Sequence, residues 1–122
     1  MKKKLLGSVL CSCFILAGAI TAYASASSAS IALQVHENWI ESSAVGLATR
    51  AEALVINSEK STGNVTMRIY AAWDGWPYTC EQTNVLTQGS RGTFVEKQSK
   101  SSSFRLRLES GGGVAALGKI TI

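Results

Sequence analysis

The sequence predicts an all-β fold: a small antiparallel β-sandwich, immunoglobulin-like in broad architecture, of about six to seven strands. Three observations predict it. Several segments alternate apolar and polar residues with period two, the pattern of a half-buried strand. Clusters of Gly, Ser and Asn punctuate the chain about every 8–12 residues, the spacing of sandwich strands. Residues 31–122 carry neither an internal repeat nor a heptad pattern, so they read as a single domain.

The first strand is expected where Ile31, Leu33 and Val35 alternate with Ala32, Gln34 and His36. Residues 40–56 admit two readings. As a helix they place Ile40, Ala44, Leu47, Ala48, Ala51, Leu54 and Val55 on one face, with Ser42 or Ser43 as cap, and the fold becomes two-layer α+β. As a strand they run from about Ala48 to Ile56 and end in the turn-rich NSEKSTGN. The strand is preferred, because the clearest strand in the chain follows directly and would pair with it as a hairpin.

That next strand is Val65 to Ala72. Val65, Met67, Ile69 and Ala71 face one way, and Thr66, Arg68 and Tyr70 the other. Asp74-Gly75 breaks it, since Asp initiates turns and Gly accepts positive φ. Extended character returns from Thr79 to Thr87, and QGSRG turns the chain again. Thr93 to Glu96 reads as a short strand and KQSKSSS as a polar loop. Phe104, Leu106 and Leu108 then alternate with Arg105, Arg107 and Glu109. A glycine turn at 111–113 leads into a terminal strand within 114–122.

The N-terminus reads as an export signal. Lys2, Lys3 and Lys4 precede an apolar run from Leu5 to Ile20, and Ala22-Tyr23-Ala24 supplies small residues where signal peptidase reads them. Residues 1–24 are therefore expected to be a removable secretory signal, residues 25–30 (SASSAS) a flexible lead-in, and the protein secreted. The apolar run is shorter than the ~20 residues of a membrane span. Cys13 ends a loose lipobox, but the apolar run continues past it, which disfavours lipidation.

Losing the signal changes the charge and cysteine readings. Three of the 12 basic residues and none of the 8 acidic ones lie in residues 1–24, so the remainder is close to neutral. Net charge then gives no support to nucleic-acid binding. Cys11 and Cys13 leave as well, and Cys80 remains as a lone thiol with no disulfide framework. Burial in the core is its expected fate. An export signal without paired cysteines resembles small exported bacterial proteins, especially those of Gram-positive organisms.

Several chemistries lack their residues. One His and one Cys cannot fill a zinc site, and one Asp cannot build a calcium loop, so neither metal nor cofactor is expected. No nucleophile motif surrounds Cys80, and His36 falls on the polar phase of its strand. The eight acids show no spacing that argues a glycosidase pair. The expectation is a non-enzymatic protein.

What remains is the stretch WDGWPYTC. Trp73, Asp74, Trp76 and Tyr78 surround the DG turn, with Pro77 stiffening its exit, and form the candidate ligand-binding set. Flat rings on a rigid loop can stack on sugars, enter a membrane interface or anchor a protein contact. Phase places Trp73 inward and Trp76 outward. The expected role is binding of envelope glycan or a protein partner outside the cell. The alternatives are a bacteriocin-like antagonist with peripheral membrane contact, or a small enzyme inhibitor. A second feature is the stripe Arg105, Arg107 and Glu109, joined by Arg68. It reads first as a solvated face and second as a site for an acidic polymer or anionic lipid heads.

Overall fold

The computed structural model describes residues 26–122, and the expected signal lies outside the described residues. Seven strands follow in order: β1 (Ser28–Leu33), β2 (Trp39–Glu41), β3 (Val45–Asn57), β4 (Val65–Trp73), β5 (Thr79–Leu86), β6 (Arg91–Glu109) and β7 (Ala116–Thr121). All pairings are antiparallel, in the order β1-β7-β3-β6-β4-β5, with β2 added to the C-terminal end of β6. The region 40–56 is extended, which removes the helical alternative.

The strands form one continuous hydrogen-bonded sheet that folds over itself. β6 makes this possible, because its two halves have different neighbours. Residues 91–97 pair with the main part of β3, whose first residues also reach Ser102 and Phe104, while residues 102–109 pair with β4 and the last three of these also with β2. One layer is thus β1, β7, β3 and the first half of β6; the other is β2, the second half of β6, β4 and β5. Gly118 of β7 shows the layers in contact: a Cβ placed there would lie 2.8 Å from Leu106 Cδ2 and 3.3 Å from Leu108 Cδ1 of the opposite layer. The inward residues Val55, Ala53, Ile120 and Leu33 of one layer and Val65, Met67, Ile69, Phe104, Leu106 and Leu108 of the other form a single buried core. Residues 26–122 contain this whole core and every strand pair, so the segment has what it needs to fold alone.

The two-layer all-β architecture agrees with the expectation; two details do not. KQSKSSS, expected to be a loop, lies inside β6. Its serines are small for a reason: Ser102 and Ser103 are buried where β6 passes between layers and β3 crosses it. At that crossing Gly46 has φ +135, and a Cβ there would approach the Ser102 carbonyl oxygen to 2.6 Å. The lead-in also ends sooner than expected, since Ser28–Ser30 already pair with Thr121–Lys119 of β7. Backbone hydrogen bonding recruits these small residues, and Ala29 among them packs against the core.

Buried polar groups fasten the loops to the layers. Asn57, 1% exposed, donates from Nδ2 to the carbonyls of Gly63 and Leu86, both at 3.0 Å. It ties the β3–β4 connection to the end of β5. Ser61 donates to the Ala115 carbonyl and accepts from its amide, both at 3.0 Å. Such pairing is what a buried polar group requires; Asn57 Oδ1 is the exception, buried without a partner among the described residues.

Candidate functional site

β4 ends at Trp73, and the chain reverses through Asp74 and Gly75. The Trp76 amide donates to the Trp73 carbonyl at 2.9 Å, and Gly75 takes φ +81, which only glycine adopts freely. The turn sets both indoles on the wall of one cavity of about 240 Å³, lined also by Ala71, Pro77, Thr79, Glu81 and Gln98. Trp76 is 67% exposed at the rim, as its phase implied. Trp73 is half-buried and forms the cavity wall rather than entering the core. Its indole N–H donates to Gln98 Oε1 at 3.2 Å, and the Lys100 ammonium sits 4.5 Å from its ring centroid.

Gln98 is held in turn by a polar seam between the layers. Its Nε2 donates to Glu96 at 3.0 Å, and Gln82 Nε2 of β5 donates to the other Glu96 oxygen at 3.0 Å. The Gln82 side chain also reaches the Val95 carbonyl at 3.0 Å, and Asn84 Nδ2 donates to Gln82 Oε1 at 3.0 Å. A carboxylate accepts only, so both amides turn their NH₂ groups toward Glu96. Gln98 is thereby forced to present its oxygen to the Trp73 indole, which can only donate. The seam fixes one side of the cavity.

Glu81 reaches the opposite side through a bulge. Ile69 pairs with Gln82 and Tyr70 with Cys80, leaving Glu81 unpaired between them. It accepts a hydrogen bond from the Thr79 hydroxyl, and both residues line the cavity. A bulge commonly re-aims a side chain in this way.

The other two candidate residues lie elsewhere. Asp74 is exposed at the turn and does not line the cavity. Tyr78 lies against the outer face of the second layer, where its hydroxyl is 2.6 Å from Ser103 Oγ and the Arg105 guanidinium is 4.6 Å from its ring. It clips the loop to the sheet.

The arginine stripe occupies this same outer face and is internally paired. Arg68 meets Glu109 at 3.2 Å, Arg107 meets Glu109 at 2.5 Å and Glu41 at 3.6 Å, and Arg105 meets Glu41 at 3.3 Å. Arg107 also lies 4.3 Å from the Trp39 ring centroid. The Glu109 hydrogen bond, followed by that of Cys80, raises the Arg68 pKa above its ordinary value. Cys80 itself is exposed on β5, contrary to its expected burial. The bulge at Glu81 and the edge position of β5 leave nothing to cover it. His36 is exposed in the turn after β1, and no cluster of three metal-ligating side chains occurs among the described residues.

Sequence reasoning missed Thr79, Glu81 and Gln98. Thr79 and Glu81 flank the tryptophans in sequence and a search for polar neighbours would have found them. Gln98 had no such signal, since it lies in a stretch read as loop.

Fold and cavity together define a small two-layer β protein with an aromatic-walled surface pocket. Compared with protein-family models, curated proteins and solved structures, the chain matches none.

Proposed function

We propose that this protein is a non-enzymatic carbohydrate-binding domain that acts outside the cell, holding envelope glycan in the cavity between Trp73 and Trp76. The observation that carries the reading is the composition of that cavity: two indoles and a proline beside a carboxylate, a hydroxyl and an amide. Sugar rings offer apolar C–H faces for stacking and hydroxyls that pair with such polar groups. At about 240 Å³ the cavity is smaller than the ~300 Å³ at which pockets for drug-sized ligands begin, which suits a single ring of a longer chain. Glu81 is the one carboxylate among the lining residues, whereas glycoside cleavage uses two. The nearby Glu96 is engaged by two amides.

The exposed Trp76 also suits an anchor on a protein, which keeps the inhibitor reading as second choice. The polar groups around it favour glycan. Pull-down of residues 26–122 with insoluble peptidoglycan and with cell-wall polysaccharide tests the proposal. Wild type is expected to bind one of them. Trp76→Ala should weaken that binding about thirtyfold, the ~2 kcal/mol of an aromatic anchor. Absence of binding to either material, or unchanged binding by Trp76→Ala, overturns it.

A further inference from the structure

The outer face of the first layer differs in chemistry from both the cavity and the arginine stripe. Strand register places Ile56 between Leu117 and Arg91, and Leu54 beside Lys119. Leu54, Ile56 and Leu117 border a shallow hollow of about 250 Å³, and Leu117 is 58% exposed. Lys97 of β6 extends the same face beyond them. The one acid on this face, Glu52, lies 3.9 Å from Arg50. Arg91, Lys97 and Lys119 have no ion-pair partner among the described residues, whereas Arg68, Arg105 and Arg107 on the opposite face are all paired.

We propose that this face docks on an anionic phospholipid surface, with Leu117 and Ile56 entering the headgroup layer and Arg91, Lys97 and Lys119 meeting lipid phosphates. The charge is complementary to such a surface and uncompensated within the protein. Lys and Arg stems lie along apolar surface while their heads reach outward, so one flat face satisfies both kinds of contact. Interfacial binding draws on buried apolar area and on attraction to anionic lipid together. A dissolved polyanion would use the cations alone and leave Leu117 in water. Three cations are fewer than the 4–8 of a strong polybasic site, so the docking is weak and reversible.

Sedimentation of residues 26–122 with vesicles tests this independently of glycan binding. Vesicles of equal parts phosphatidylglycerol and phosphatidylcholine should bind the protein, and pure phosphatidylcholine should not. Binding should fall as salt shortens the Debye length from about 10 Å at 0.1 M to about 3 Å at 1 M. Neutralising Arg91, Lys97 and Lys119 to Gln together should lower partitioning about a hundredfold, roughly fivefold for each. Lys60→Gln, an exposed cation on the β3–β4 loop, should change nothing. Leu117→Ser should weaken vesicle binding about fivefold without altering binding to soluble polyphosphate. All the altered side chains are exposed, so urea midpoints should stay at the wild-type value.

Equal binding to both vesicle types overturns the proposal, as does indifference to the triple substitution. Leu117→Ser acting equally on vesicles and polyphosphate points to a soluble polyanion instead. Self-association that Leu117→Ser removes makes the face a contact between copies. Loss of vesicle binding in Trp76→Ala assigns the membrane to the aromatic turn.

Discussion

Substituting Gly118 by Ala places a methyl group between the two layers. Its Cβ would lie 2.8 Å from Leu106 Cδ2, 3.3 Å from Leu108 Cδ1 and 3.5 Å from Ile31 Cγ1. Leu106 and Leu108 are fully buried, so neither can swing into solvent. Overpacking of this kind costs about 1–3 kcal/mol. Against it stands about 0.4–1 kcal/mol from the reduced freedom of the unfolded chain when Gly becomes Ala. Because neither leucine can move aside, the overpacking cost lies in the upper part of its range, about 2–3 kcal/mol, and the net expectation is a loss of about 1–2.6 kcal/mol, with roughly 4–8 °C in Tm for each kcal/mol in a domain of this size. Leu106→Ala alone should cost about 2–5 kcal/mol through the cavity it opens. The double variant puts the new methyl into the vacated space, so it should be more stable than the sum of the singles by about 1 kcal/mol or more. Urea denaturation of the four proteins measures all these terms. A neutral Gly118→Ala, or a cycle additive within about 0.5 kcal/mol, would refute the face-to-face packing of β7 on β6.

Two further expectations rest on single residues. Asn57→Ala removes two hydrogen bonds and strands the carbonyls of Gly63 and Leu86, so it should cost about 2 kcal/mol in urea unfolding; a loss below about 0.5 kcal/mol would contradict the role given to Asn57. Cys80 should react with a thiol-specific dye in the native state at nearly its denatured rate, because it is exposed on β5. Protection until unfolding would contradict that placement.

Strands facing the apolar core were legible because their alternation records burial on one side only. β4 and the second half of β6 show Met67, Ile69, Leu106 and Leu108 at every second position. The middle of β6, residues 97–103, escaped for the converse reason, although Thr93 to Glu96 just before it read as a strand. The inward Glu96 and Gln98 at its start face the polar seam, so the contrast between inward and outward residues disappears there. Ser102 and Ser103 look like loop residues in sequence, yet their size serves the crossing of β6 between layers. The same seam explains why the site was half visible. Trp73, Asp74-Gly75 and Trp76 are local to one turn and were readable as a unit. Gln98 joins them only through antiparallel pairing across the folded sheet, which no local pattern encodes. Tyr78 shows the opposite error: adjacent in sequence, it turns to the other face because Ser103 and Arg105 hold it there.

The central claim is that sugar enters between Trp73 and Trp76, and the three tryptophans allow one direct measurement. Trp39 lies apart from the cavity, against Arg107 on the outer face, and serves as an internal reference. The indole N–H resonances of residues 26–122 should be followed by NMR as soluble peptidoglycan and wall-polysaccharide fragments are added. The account predicts saturable shifts of the Trp73 and Trp76 signals with one of these glycans while Trp39 stays fixed. Three unmoved signals with both glycans, or movement of Trp39 alone, would contradict it.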